Sequence, residues 1–129
     1  MNTVFKTTIG AVAGVAISAG AAFAAAHATV KIAFIDPLSG PFATTGTNGL
    51  AEFNYAADVL VNAKGGVLGG KKFEIVAFDN KISPKESLIQ LQVAIDQGIR
   101  YIAQGNSSGV ANALTDAICS STIPLLTLR

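Results

Sequence analysis

The sequence predicts an α/β domain in which a parallel β-sheet carries helices on both faces. Three apolar segments have the near-continuous hydrophobicity of strands covered on both sides: Val30–Ile35, Phe73–Phe78 and Ile99–Ala103. Between them, apolar residues recur at helical spacing, and the connections are short. This strand–helix–strand–helix–strand order implies parallel strands that are joined by right-handed crossovers.

The first helix is predicted over Thr47–Ala63, after a loop that spans Asp36–Gly46. Its apolar residues recur at helical spacing and are expected to face the sheet: Leu50, Phe53, Ala57 and Leu60. The glycine-rich segment Gly65–Gly70 follows this helix and precedes a strand. A phosphate-binding loop has the opposite order, so we interpret this segment as a turn.

The second helix carries its own start signal. Ser83 is a predicted N-cap, Pro84 suits the first helical position, and Glu86 completes a capping box. Gly98 is expected to end the helix. The predicted apolar stripe of this helix consists of Leu88, Leu91 and Ile95.

A third helix is predicted to begin at Val110, after the polar loop Gly105–Gly109. Its inward positions are Val110, Leu114 and Ile118, and Ile123–Leu126 resembles the start of a fourth strand.

Ligands of such sheets bind beyond the carboxyl ends of the strands, where three loops are expected to meet. These loops are Asp36–Thr47, Asp79–Ser83 and Gln104–Gly109. In the third loop, the hydroxyls of Ser107 and Ser108 and the N-terminus of the next helix suit a carboxylate, such as that of an amino acid. The alternative is that these serines only cap the helix. Asp36 and Asp79 end strands and are expected to cap the loops there.

Composition argues against several other functions. The chain has 9 basic and 8 acidic side chains, so no excess positive charge favours a nucleic-acid partner. His27 is the only histidine, and no dinucleotide-binding glycine motif follows the first strand. We therefore predict no enzyme, no catalytic residues, no metal site and no cofactor. The single cysteine, Cys119, excludes an internal disulfide and is expected to be buried on a helix.

The N-terminal residues Met1–Ala28 have the pattern of a cleaved secretory signal peptide. Lys6 precedes an apolar stretch that contains no charge, and small-residue cleavage motifs follow it, including Ala22–Ala24 and Ala26–Ala28. The alternative is a transmembrane anchor, since the apolar stretch is nearly long enough to span a bilayer.

Several segments of this chain share one further pattern. They are Lys31–Pro41, Asn62–Glu74, Asp79–Asn80, Ser83–Lys85 and Gly105–Ser108. In order and with matching spacing, over about Val30–Ile118, these segments resemble the periplasmic leucine/isoleucine/valine-type binding proteins of ABC transporters. It implies the type I periplasmic binding protein fold, whose lobes are doubly wound and Rossmann-like. Residues 29–129 would form a truncated part of the N-terminal lobe, because family members continue through a second lobe.

The resemblance also implies a function and a set of ligand-binding residues. The protein would be the periplasmic receptor of an ABC importer, would capture an amino acid or a similar small carboxylate or amide, and would deliver it to a membrane permease. Ser108, next to Gly109, is the best match to the family serine that holds the ligand carboxylate, and Ser107 is the second. Thr45 stands where the family often has an aromatic residue against the ligand side chain.

Two other functions remain open at this point. The first alternative is a ligand-sensing extracytoplasmic domain of the same fold, which would require a retained membrane helix. The second is an exported enzyme of doubly wound fold, which would require a base and a nucleophile that the sequence does not offer.

Overall fold

The computed structural model describes residues 29–119 and 125–127, which form a four-stranded sheet with helices on both faces. The predicted signal peptide and the segment Ile123–Pro124 lie outside the described residues. The strands are β1 (Thr29–Asp36), β2 (Lys72–Asp79), β3 (Tyr101–Gln104) and β4 (Leu125–Thr127). The α-helices are α1 (Ala43–Tyr55), α2 (Pro84–Asp96) and α3 (Ser108–Cys119).

The strand order is β2-β1-β3-β4, and each adjacent pair is parallel. Strand alternation in β1 sends Ala33 and Ile35 to one face of the sheet and Ile32 and Phe34 to the other. The predicted parallel α/β sheet is therefore confirmed.

The larger apolar layer lies between the sheet and helices α2 and α3. The inward residues Val110, Leu114 and Ile118 of α3 are buried there, as predicted. The other face of the sheet packs against α1, where the rings of Phe34 and Phe53 are 5.1 Å apart. Helices therefore cover both faces, which explains why β1 is apolar at nearly every position.

The predicted start of the first helix is wrong, since α1 begins at Ala43 rather than Thr47. The N–H of Ala43 bonds to the carbonyl of Gly40, whose φ of 76° turns the chain sharply into the helix. No side chain caps this end of α1, so the usual sequence signal of a helix start is missing.

The first helix also changes its hydrogen-bond pattern near its C-terminal end. A π-helical segment, Ala56–Val61, follows α1, and a short 3-10 turn, Asn62–Lys64, completes it. Because a π-helix turns less per residue than an α-helix, the predicted stripe leaves the sheet after Ala57, and Leu60 is 54% exposed. The prediction that Leu60 faces the core is therefore wrong.

The glycine-rich segment Gly65–Gly70 is a turn between this helix and β2, as predicted. Gly65, Gly66, Gly69 and Gly70 all have positive φ, and Val67 and Lys71 form an antiparallel bridge across the turn. The side chain of Asn62 bonds to both the N–H and the carbonyl of Phe73, which fixes the helix end to β2.

Helix α2 starts and ends where its sequence signals place it. The hydroxyl of Ser83 accepts the N–H of Glu86, Pro84 is the first helical residue, and Gly98 has a φ of 75°. The predicted stripe is wrong at Leu88, which is 40% exposed, whereas Ser87 is buried in the position that faces the sheet. Ser87 can be buried because its hydroxyl donates to the carbonyl of Ser83.

Smaller differences concern β3 and α3. Strand β3 begins at Tyr101 rather than Ile99, because Ile99 belongs to the chain reversal after α2 and donates its N–H to the carbonyl of Ala94. Helix α3 begins at Ser108, before the predicted Val110. Cys119 is exposed at the last position of α3, so its predicted burial is wrong.

Candidate functional site

The carboxyl ends of β1, β2 and β3 meet at one edge of the sheet, and each strand ends in a polar side chain there. The register places Asp36 beside Asp79, and β3 ends next to them at Gln104. The segment from Gly105 to Gly109, here called the serine loop, leads from β3 into the first turn of α3. The candidate site is therefore built from the loops that follow these three strands.

Asp36 holds the serine loop. Its carboxylate accepts the backbone N–H of Asn106 at 3.2 Å and the side-chain amide of Asn106 at 2.9 Å, and the N–H of Gly105 also donates to it. Only 1% of Asp36 is exposed. This burial raises the pKa of Asp36 above its usual value, and the hydrogen bonds from Asn106 and Gly105 oppose that shift only in part.

Asp79 holds the loop after β1 in a similar way. Its carboxylate accepts the N–H of Leu38 at 2.9 Å, the hydroxyl of Ser39 at 2.5 Å and the N–H of Lys81 at 3.0 Å. Partial burial acts to raise the pKa of Asp79, but these hydrogen bonds outweigh it and hold the pKa below its usual value. The prediction that Asp36 and Asp79 cap the loops at this edge is confirmed, although Asp36 caps the loop after β3 and not the loop after its own strand.

The loop between β2 and α2 is fixed by its own side chains. Asn80 is fully buried, donates its amide to the carbonyl of Ile35 and accepts the N–H of Ile82 at 2.8 Å. Lys81 and Ile82 have positive φ, a conformation that non-glycine residues adopt only where the surroundings impose it. All three loops at this edge are thus tied down by hydrogen bonds.

The two serines of the serine loop have different roles. Ser107 caps α3, because its hydroxyl accepts the N–H of Val110 at 3.3 Å and its carbonyl accepts the N–H of Ala111. The simple capping role that the sequence left open therefore applies to Ser107. Ser108 is exposed, and within residues 29–119 and 125–127 its hydroxyl has no hydrogen-bond partner.

The first turn of α3 presents free donors next to that hydroxyl. Ser108 and Gly109 are the first two helical residues, so their N–H groups have no partner within the helix, and both residues are exposed. Together with the hydroxyl of Ser108, they offer three donors at the positive end of a helix dipole. This arrangement can bind a carboxylate or another small anionic group.

A cleft of about 430 Å³ lies between α1 and the start of the serine loop. Thr45 lines this cleft, whereas Ser107, Ser108 and Gly109 do not. The structure thus brings Thr45 close to Asp36 and Asn106 and leaves the three serine-loop residues outside the cleft. The full lining consists of Phe34, Asp36, Thr45, Asn48, Gly49, Glu52, Phe53, Gly105 and Asn106.

The sequence analysis missed three polar residues of this cleft: Asn48, Glu52 and Asn106. Thr45, Asn48 and Glu52 are spaced by three and four residues, so they share one side of α1. The late predicted start of the helix hid this spacing. Asn106 carried no separate signal, because its role depends on Asp36, which is 70 residues away in the sequence.

One buried polar group at the same edge lacks a partner. The side-chain oxygen of Gln104 is buried and accepts no hydrogen bond within the described part of the chain. No cluster of potential metal-binding side chains occurs among residues 29–119 and 125–127. Within those same ranges, no helix has the length and apolar character needed to cross a membrane.

The comparison with protein families gives one match that covers most of the chain. The family model described as "Periplasmic binding protein" matches residues 29–128.

Curated relatives include the Leu/Ile/Val-binding protein homolog 4 of Brucella abortus, which is 36% identical over 112 residues. That match covers 83% of this chain and 25% of the relative. The leucine-specific-binding protein of Salmonella typhimurium is 32% identical, and the match covers 75% of this chain and 25% of that protein. The chain thus spans about a quarter of the length of the curated relatives it matches.

Solved structures give the same fold. The leucine-, isoleucine-, valine-, threonine- and alanine-binding protein of Brucella ovis, in its closed conformation, aligns with a TM-score of 0.68 and 31% identity. That alignment covers 78% of this chain and 27% of the Brucella ovis chain. The branched-chain amino acid transporter substrate-binding protein LivJ of Streptococcus pneumoniae, in complex with isoleucine, aligns with a TM-score of 0.63 and 28% identity, over 77% of this chain and 28% of that one.

Proposed function

Because this chain belongs to the periplasmic binding protein family, we propose that it supplies part of the ligand-binding lobe of a solute receptor for an ABC importer. The ligand is an amino acid or a similar small carboxylate or amide, and the partner is a permease in the inner membrane. Residues 1–28 are the signal that directs the chain to the periplasm, and residues 29–129 contribute to the N-terminal lobe.

The observation that carries this proposal is the set of free donors at the start of α3. Ser108 is exposed, its hydroxyl is unpaired among the described residues, and the N–H groups of Ser108 and Gly109 point out of the helix end. A ligand carboxylate at this position would accept three hydrogen bonds and interact with the helix dipole. The names of two relatives, a Leu/Ile/Val-binding protein homolog and a leucine-specific-binding protein, agree with such a ligand.

Thr45 bears on the choice of ligand within this class. In the resembling family an aromatic residue often stands at this position, against the ligand side chain, whereas Thr45 is small, polar and exposed in the cleft beside α1. A threonine offers less apolar contact than an aromatic ring. We therefore propose a ligand whose side chain is smaller or more polar than that of leucine, with leucine as a weakly bound probe.

The proposal is tested by titrating the isotope-labelled protein, collected after export of the full chain, with L-leucine and with L-leucinol, which lacks the carboxylate. Binding is followed by NMR. L-leucine is expected to shift the amide signals of Ser108 and Gly109, and leucinol is expected to leave them in place. The Ser108→Ala variant should bind leucine about tenfold more weakly, because it removes a hydrogen bond to a charged group.

Ser107→Ala is the matched control. It removes a helix cap and should lower the free energy of unfolding by about 1 kcal/mol, but it should leave leucine affinity nearly unchanged. Equal affinities of the wild type and the Ser108→Ala variant would exclude the hydroxyl of Ser108 as a ligand contact.

A further inference from the structure

The carboxylate of Asp36 connects two elements of the candidate site. It accepts hydrogen bonds from Gly105 and Asn106 of the serine loop, and it lines the same cleft as Thr45 and Glu52 of α1. β1 is paired with β3 up to Phe34 and Ala103, so Asp36 lies two residues beyond the last pair, where the serine loop begins.

The carboxylate of Asp36 lies between the serine loop and helix α1. A Cβ atom on Gly105 would lie 3.4 Å from one carboxylate oxygen of Asp36, and a Cβ on Gly49 would lie 4.0 Å from the same oxygen. Both are ordinary contact distances, so the carboxylate borders the serine loop on one side and α1 on the other, at the base of the cleft between them.

Asp36 also has a feature that a purely structural residue would not need. Its burial raises its pKa, which means that the ionised carboxylate destabilises the folded chain at neutral pH relative to an ordinary aspartate. The neighbouring acidic groups are Asp79, its register partner on β2, and Glu52 on α1. A residue with this cost is expected where function requires it.

We infer that Asp36 is a positioning residue of the ligand site: its hydrogen bonds to Asn106 and Gly105 hold the serine loop so that Ser108 and Gly109 present their donors in a fixed direction. This inference rests on the proposed function. The free donors follow Asn106 by only two and three residues, so the orientation of Asn106 limits theirs. A ligand that binds a preordered loop does not lose affinity to the ordering of that loop.

The inference is tested with single variants and with an exchange of the two partners. Asp36→Asn removes the negative charge and leaves one acceptor oxygen for the three donors of Gly105 and Asn106, which weakens the hold on the serine loop. Asn106→Asp places two carboxylates opposite each other. Each should lower the affinity for L-leucine by about tenfold. In the double variant Asp36→Asn with Asn106→Asp, the pair is restored in the reverse direction, and the affinity should recover to within about threefold of the wild type.

Amide hydrogen exchange in the ligand-free protein gives an independent measurement. The N–H of Asn106 should exchange at least about tenfold faster in the Asp36→Asn variant, whereas the N–H of Ile102 in β3 should be unaffected. Asp79→Asn is the matched control, since Asp79 holds the loop after β1 and not the serine loop. It should leave the exchange of Asn106 unchanged.

The outcomes separate this inference from the proposed function. If the wild type binds leucine and the Asp36→Asn variant binds it equally well, the positioning role is excluded and the proposed function stands. If the wild type does not bind leucine even weakly, the expectation that leucine serves as a probe of this site is contradicted, and the exchange rate of Asn106 alone supports or overturns the role of Asp36 in ordering the loop. If Asp36→Asn does not fold, Asn106→Ala removes the same side-chain bond at a half-buried position and replaces it in the affinity measurement.

Discussion

Two adjacent serines show how a difference of one position along a helix start changes the role of a residue. Ser107 stands at the N-cap, where its hydroxyl accepts the N–H of Val110. Ser108 is the first helical residue, and its hydroxyl lies on the surface. The sequence identified both residues as ligand candidates but could not separate them, because the capping role depends on where the helix begins.

Gly46 provides a prediction at the scale of a single residue. It is buried in the first turn of α1, and a Cβ at this position would overlap the carbonyl of Pro37. Gly46→Ala should therefore lower the free energy of unfolding by about 2 kcal/mol or more, as measured by urea denaturation.

Gly49 is the matched control in the same helix. Its Cβ would lie 3.2 Å from the ring edge of Phe34, a side chain that can shift slightly, and alanine is the better helix former. Gly49→Ala should change the free energy of unfolding by less than about 1 kcal/mol. Equal losses in the two variants would contradict the close approach of the Gly46 backbone to Pro37.

Helices α1 and α2 show which elements can be predicted from local sequence. The start of α2 is correct because Ser83 caps it and Pro84 is its first residue. The predicted capping box is wrong in its second half, since the N–H of Ser83 donates to the carbonyl of Asn80 and not to Glu86. The predicted start of α1 is wrong, because this start depends on backbone hydrogen bonds to Gly40 and Phe42 and on no capping side chain. The exposure of Leu60 depends on the π-helical segment, for which the sequence offers no signal.

The orientation of α2 can be measured with two leucines that are three residues apart. Leu91 is buried against the sheet, whereas Leu88 is on the outer side of the helix. Leu91→Ala should lower the free energy of unfolding by about 2 to 5 kcal/mol, and Leu88→Ala by less than about 1 kcal/mol. Chemical denaturation of both variants checks this. A loss of stability for Leu88→Ala as large as that for Leu91→Ala would instead support the predicted stripe, in which both leucines face the core.

At the scale of the whole molecule, the sequence predicts the sheet well and the cleft poorly. The apolar strands and short connections are enough to indicate a parallel sheet and the edge where its loops meet. The pairing of Asp36 with Asn106 joins residues that are 70 positions apart, and no local pattern reports such a contact. The resemblance to a known family indicates which loops matter but not which hydroxyl is free.

Asp36 and Asp79 should give the stability of the chain two opposite dependences on pH. The pKa of Asp79 is lower in the folded chain than the ordinary value of 3.8. Asp79 therefore contributes to the free energy of unfolding above pH 3.8, and this contribution is lost as the pH falls below that value. The pKa of Asp36 is higher than 3.8 in the folded chain, because burial disfavours its charge. Its contribution is therefore present below pH 3.8 and is lost as the pH rises through the folded value.

Urea denaturation of the wild type and of the Asp36→Asn and Asp79→Asn variants over a range of pH measures these contributions. The stability difference between the wild type and Asp79→Asn should shrink as the pH falls below 3.8. The wild type should lose stability relative to Asp36→Asn as the pH rises from 3.8. Parallel curves for the two variants would contradict the opposite shifts.

The strand order also determines when the molecule can fold. β1 comes first in the chain but lies between β2 and β3, and its contacts reach residues that are 45 and 70 positions later. A chain that emerges N-terminus first cannot pair β1 until β2 has followed, because both partners of β1 come later in the sequence. Such non-local pairing is slow. Strand β1 therefore stays unpaired until β2 has followed, and its other edge is covered only when β3 and the serine loop arrive.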